Sequence, residues 1–296
     1  MGVRLRKSAD GFRTRSELDR EFVRVRPTTR IATCYILPSR EWVAGLIEHP
    51  TYAHPQLAEA ICELRFALPE GDVWHAGVLG EFYKAAQNEF PILEPISEQS
   101  LELTVGPDGA HTQRSGVPKT KFKLTAASKP FIIIFGEGSV SVSATPPYSG
   151  WINFEAEISK VWGIVKQVLK VAHVEQIGMR YINRISRLSE DEAPGTWLEQ
   201  GDFVPSALRK SKSGFLSRTE VQIDAASRHM VTVAHDRSSS PGSLIFDIDC
   251  IYQDHIEPTW EGIGRKINDI HEEIWSIFQQ SASSKLKRLL ERGGVE

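Results

Sequence analysis

Residues 59–68 carry a two-residue alternation. Ala60, Cys62, Leu64, Phe66 and Leu68 fall on one side, and Glu59, Glu63 and Arg65 on the other. A two-residue period of this kind describes a strand with one face buried and one facing water. Residues 176–185 (QIGMRYINRI) repeat the pattern, with Met179, Tyr181 and Ile185 opposed to Arg180 and Arg184. Strands with one apolar face require a layer to cover it, and two stretches supply helix-period stripes. Trp151, Phe154, Ile158, Val161, Trp162, Val165, Val168 and Leu169 make the first. Trp260, Ile263, Ile267, Ile270, Ile274, Ile277 and Phe278 make the second.

Between these segments the chain reads as strands at 100–105, 120–126, 130–136 and 139–144, joined by Gly- and Pro-bearing turns that favour antiparallel pairing. A helix is predicted over 74–90, ended by Pro91. Further strands are expected at 215–224, 229–235 and 243–252, after a broken, helix-prone stretch at 196–209. The prediction is an α+β fold: antiparallel sheets with long amphipathic helices, arranged as two similar β-α-β(n)-α halves, 46–172 and 173–296, packed as one unit. Residues 1–45 precede them as a basic arm, expected to be partly disordered or packed on the body.

The segments EAICELRF (59–66), FPILEP (90–95), PPYSGW (146–151), GMRYINRI (178–185) and LIFDID (244–249) together resemble a sporadically distributed family of bacterial proteins with no assigned function. Met179 replaces the Leu of that family's GLRYINRI-type strand. The resemblance spans roughly residues 50–282 and implies the chain layout. Its patchy distribution implies a mobile toxin–antitoxin or phage-defence locus, an association rather than a physical inference.

Charge is unevenly spread. Residues 1–40 hold ten Arg and Lys against four Asp and Glu, a net +6, so the remainder carries −9 within a total of −3. Such an arm either contacts nucleic acid or folds back on the acidic body. No apolar run approaches the length of a membrane span, the amino-terminal stretch has no signal-like apolar core, and the three cysteines (Cys34, Cys62, Cys250) form no C-x-x-C pair. A reducing, cytoplasmic setting without membrane attachment is therefore expected.

Candidate binding groups concentrate on the motif strands. Arg180 and Arg184, about 7 Å apart on one strand face, suit a phosphate or carboxylate, with Asn183 on the apolar face. The favoured expectation is an ion pair of one of them with Glu63 of the first motif strand, beside Arg65, the two strands lying close in space. Tyr148 stands at the tip of the PPYSGW turn as a partner contact or a packing residue. Asp247, Asp249, Glu220 and Asp224 form alternating acids on neighbouring strands, which read either as a divalent-metal set for hydrolysis or as a solvated sheet face. His271 reads as a surface residue. No nucleophile motif, phosphate-binding loop or dinucleotide fingerprint occurs, and no cofactor is expected. The leading expectation is thus a non-enzymatic binding protein with a protein partner. The alternatives are nucleic-acid binding through the arm with Arg180 and Arg184, or a metal-dependent hydrolase. A homo-oligomer is left open.

Overall fold

The motif strand at 59–66 lies at the middle of a nine-stranded antiparallel sheet. A computed structural model describes residue 49 and residues 52–293 apart from 99–100, 106–110, 116–118, 188, 190, 212–213 and 239–241. All of these fall in a unit spanning residues 49–296, and the basic arm and Cys34 lie outside the described residues. In chain order the elements are β1 (Leu57–Ala67), α1 (Gly77–Ala86), β2 (Ile92–Glu98), β3 (Leu101–Val105), β4 (His111–Ser115), β5 (Lys119–Thr125), β6 (Phe131–Gly136), β7 (Ser139–Ala144) and α2 (Trp151–Val168). Then follow β8 (His173–Ser186), β9 (Leu216–Gln222), β10 (Ser227–Asp236), β11 (Ser243–Ile256), α3 (Trp260–Ser281) and α4 (Ser284–Arg292). The class is α+β. No described helix is long and apolar enough to cross a membrane.

Strand order is β2-β5-β6-β7-β1-β8-β11-β10-β9, and β3 pairs with β4 as a separate ribbon. The two motif strands are direct neighbours: Ala60 lies opposite Tyr181, Cys62 opposite Met179 and Leu64 opposite Ile177. Residues directly opposite in an antiparallel pair share a face, so this register gathers the apolar sides of both strands. Leu244, Phe246, Ile248 and Cys250 of β11 continue that face, as do Val140 and Val142 of β7, all buried.

The helices cover it. α2 packs on β7, α3 on β8 and β11, and α1 on α2. Phe154, Ile158, Val161, Trp162 and Val165 of α2 are buried, as are Ile263, Ile267, Ile270, Ile274 and Ile277 of α3. Phe82 of α1 stacks on Phe135 of β6, ring centroids 4.0 Å apart. The α2 start is set by Gly150, whose φ of +91° only glycine adopts without strain. Lys129, in the β5–β6 turn, fastens three elements. It donates to the buried Glu157 of α2 at 2.6 Å and to Glu89 beyond α1 at 2.8 Å, and Lys160 of α2 also pairs with Glu89.

Several local expectations are corrected. Residues 92–98, absent from the expected strands, form one that contains Pro95; β2 is an edge strand bonded to β5 alone, where a missing N–H is tolerated. The strand expected at 100–105 is Leu101–Val105, which pairs in the β3–β4 ribbon rather than the main sheet. Residues 196–209 form no α-helix; 3₁₀ turns at Pro194–Thr196 and Leu208–Lys210 flank an isolated bridge from Leu198 to Ala282. The last helical region breaks at the extended Ala282 and Ser283, and Ser283 caps α4 by accepting from the Leu286 N–H at 3.2 Å. The Glu63 pairing is also corrected. Register sets Gly178 opposite Glu63 and Ile61 opposite Arg180; Glu63 instead accepts from Arg65 of its own strand at 2.7 Å.

Two substitutions separate core from surface. Phe154→Ala, which empties a fully buried ring site, is expected to cost about 3–5 kcal/mol in urea unfolding. Glu63→Ala, which breaks a half-exposed pair, should cost less than about 1 kcal/mol. A Glu63→Ala cost near that of Phe154→Ala would contradict the pairing described.

Candidate functional site

β8 turns an apolar side inward everywhere except at two successive inward positions, Tyr181 and Asn183. A polar group under a helix layer needs a partner. Asn183 donates its amide to the Phe246 carbonyl of β11 at 3.2 Å. The Tyr181 hydroxyl lies 3.2 Å from that of Tyr148, which the PPYSGW turn delivers just ahead of α2. The same turn starts α2 with Trp151, whose indole N–H donates to Asn268 of α3 at 3.1 Å. Asn268 in turn donates to Glu155 at 2.8 Å and to the Gly264 carbonyl at 2.9 Å.

Above these residues is a cavity of about 130 Å³. An apolar cavity near 150 Å³ holds a benzene ring, so this one has the size for a single ring. Tyr181, Asn183 and Ile248 line its sheet side, Trp151 and Tyr148 one flank, and His271, Trp275 and Phe278 of α3 the other. His49 and Tyr52 close it from the segment before β1. The rings order one another: His271 lies flat on Trp151 at 4.0 Å with planes 8° apart, and His49 stacks on Trp275 at 4.5 Å. Gln279 donates to the Tyr52 hydroxyl at 2.9 Å, and His49 Nε2 lies 2.6 Å from a carboxylate oxygen of Glu272.

Burial removes charge from the cavity walls. It pushes the Tyr148 hydroxyl up to about 12 and Tyr181 well above the usual phenol range, so neither forms a phenolate near neutrality. Burial, with the nearby His49 second, lowers His271 to about 3, so this imidazole is neutral. Cys62 and Cys250 are buried thiols that burial pushes up, away from nucleophilic thiolate. Around Tyr148, Tyr181 and His271 the walls therefore offer flat apolar surfaces with neutral donors and acceptors.

Of the sequence candidates, Tyr148 and Asn183 come to this cavity. Arg180, Arg184, Glu63 and Arg65 fall on the opposite sheet face by strand alternation. There Arg180 grips Asp247 through two bonds, of 2.9 and 2.7 Å, and Arg184 pairs with Asp236 at 2.7 Å. The four candidate metal acids are dispersed among other duties. Besides Asp247, Glu220 pairs with Arg228 at 3.2 Å, and Asp224 accepts the Ala226 and Ser227 N–H groups in a turn, each at 2.7 Å. Asp249 is held up at about 6, first by burial. Among the described residues, the sets with metal-ligand reach are two others, His49–His271–Glu272 and His229–Cys250–Glu273, the donor atoms of each lying within 4.8 Å of one another.

His271 was expected at the surface and is buried. Its position was nonetheless readable. It lies four residues after Ile267 and three before Ile274, inside the width of a core-facing stripe. Trp275, four further on, extends it. His49 had no such signal; only the tertiary fold brings it to Glu272. No protein-family model and no curated protein matches this chain.

Asp249 supplies a pH test. Its folded-state value of about 6 exceeds the ordinary 3.8, so the folded protein holds this proton more tightly than the unfolded chain. Its contribution is fully favourable below about pH 4 and is lost as pH rises through 6. Asp249→Asn is therefore expected to stabilise by about 1–3 kcal/mol at pH 7.5 and by little at pH 4. Urea midpoints at the two pH values check this; equal effects would refute it.

Proposed function

We propose that this chain is a non-catalytic binding protein whose site is the aromatic cavity over Tyr181 and Asn183, and that the occupant is a neutral, planar, ring-sized molecule. The observation that carries this is the wall itself: Trp, Tyr, His and Phe rings surround one ring's volume, with the Tyr148 and Tyr181 hydroxyls, a neutral His271, His49, Gln56 and Asn183 among the polar groups. Mostly apolar, aromatic pockets with a few fixed polar groups are the usual form of small-molecule sites.

The protein partner, the cytoplasmic setting and the mobile toxin–antitoxin or phage-defence locus belong to the same proposal; the absence of catalytic motifs and the cysteine usage support the first two, and the motif resemblance the third. Occupancy of the cavity would then be what such a partner senses. The proposal also takes the body as two similar halves. Strand order supports this: outward from β1–β8 it runs β7, β6, β5 on one side and β11, β10, β9 on the other. Nucleic-acid binding draws no support from Arg180 and Arg184, whose charges Asp247 and Asp236 match.

Trp151 and Trp275 make the cavity fluorescent, so binding of phenol and indole can be followed directly in metal-free buffer. Saturable quenching at one site per chain is expected. Tyr181→Phe should weaken phenol by about two- to tenfold, the worth of one net hydrogen bond. Ile248→Phe, which fills the floor, should abolish binding of both probes. Quenching that never saturates, or that both variants leave unchanged, would overturn the proposal.

A further inference from the structure

The geometry points to a divalent transition-metal site of the zinc type on the wall of the aromatic cavity, formed by His49 Nε2, His271 Nδ1 and a Glu272 carboxylate oxygen. It deepens the cavity reading by giving the occupant an anchor, and so rests on that reading for what fills the open position.

Three observations carry it. The three donor atoms lie within 4.8 Å of one another, with His49 Nε2 2.6 Å and His271 Nδ1 3.9 Å from the same Glu272 oxygen. Ligands at 2.0–2.2 Å from one tetrahedral ion stand roughly 3.3 Å apart, so small side-chain shifts suffice. His271 Nδ1 is buried without a hydrogen-bond partner, although its ring is 6% exposed. Buried ring nitrogens are ordinarily satisfied, and one left over needs an explanation; a metal ion accepts that lone pair. Finally, both imidazoles are already oriented, His271 by Trp151 and His49 by Trp275, and Trp151 is itself held by Asn268. Ligands fixed by outer neighbours are what a metal site requires.

Two imidazoles and one carboxylate are a donor set suited to zinc and its neighbours, and three protein ligands leave a fourth position for an exogenous group. His49 and His271 line the cavity, so that position would belong to the cavity's occupant: a neutral planar molecule carrying a heterocyclic nitrogen. Glu272 is 37% exposed, which gives an ion its way in from solvent. The other set, His229–Cys250–Glu273, is less prepared. His229 already bonds Glu273 at 2.7 Å, and it leaves no unpartnered buried nitrogen.

The full chain, stripped with chelator, is titrated with Co²⁺ and then Zn²⁺. One equivalent of Co²⁺ should bind, with the visible absorption of a four- or five-coordinate ion, and Zn²⁺ should displace it. His49→Ala and Glu272→Gln should each weaken binding by more than about 100-fold, beyond the 10–100-fold that loss of an outer partner costs. His271→Ala would also strip a ring from Trp151. The wild-type His271 Nδ1 resonance is therefore the second readout, and it should shift on Zn²⁺ addition. No stoichiometric binding, binding indifferent to His49→Ala and Glu272→Gln, or binding lost instead on Cys250→Ser would each overturn the inference. Phenol and indole quenching in chelator separates the two proposals. If it persists without metal binding, only the metal site falls; if it is absent while metal binds, only the neutral-ring reading falls.

Discussion

The pairing of β1 with β8 is the constraint on which the rest of this structure depends. It is the seam at the centre of the sheet, and each of the other seven strands of that sheet is placed by its distance from it. Its register decides which side chains meet the helices. With Cys62 opposite Met179, both apolar rows face α2 and α3, and Arg180 and Arg184 are held on the far side. A slip of one residue would send those guanidiniums under the helices and the Met and Ile side chains into water. The alternation in both motif strands opposes such a slip.

The same seam explains why a cavity forms where it does. Tyr181 and Asn183 occupy inward positions that an apolar residue would otherwise fill, and each must be satisfied within the layer. Asn183 is satisfied by the neighbouring strand and Tyr181 by Tyr148, which ties the PPYSGW turn down to the sheet. The turn fixes where α2 begins, and Trp151 at that start meets His271 face to face across the helix layer. Polar residues in an apolar row thus order a chain of rings rather than a plain hydrophobic contact. The far face works by another rule, with carboxylates and guanidiniums matched along and across strands.

How much of this was legible follows from what each signal depends on. Features set by local period were readable: β1, β8, α2 and α3 lie close to where their alternation and stripes place them. Features set by a neighbour's identity were not. Pro95 argues against a strand until β2 is known to be an edge, and Arg180 chooses Asp247 over Glu63 because of register with β11. Of the site, Tyr148 and Asn183 could be singled out because they break local pattern. His271 was misjudged by weighing its charge type over its place in the stripe. His49 reaches Glu272 across 223 positions, and no local rule reports such a contact.

The central seam also sets an order of events during synthesis. β1 leaves the ribosome more than a hundred residues before the strand that flanks it on the β8 side. Until then β5, β6 and β7 can assemble on its other side, with β1 as a bare, apolar edge. Such an edge is a template for mispairing, and strand partners distant in sequence close slowly. The nascent first half is thus the aggregation-sensitive stage of this molecule's life, and arrival of residues 173–186 ends it. Synonymous changes that slow translation between α2 and β8 would lengthen that exposure without altering one atom of the finished protein.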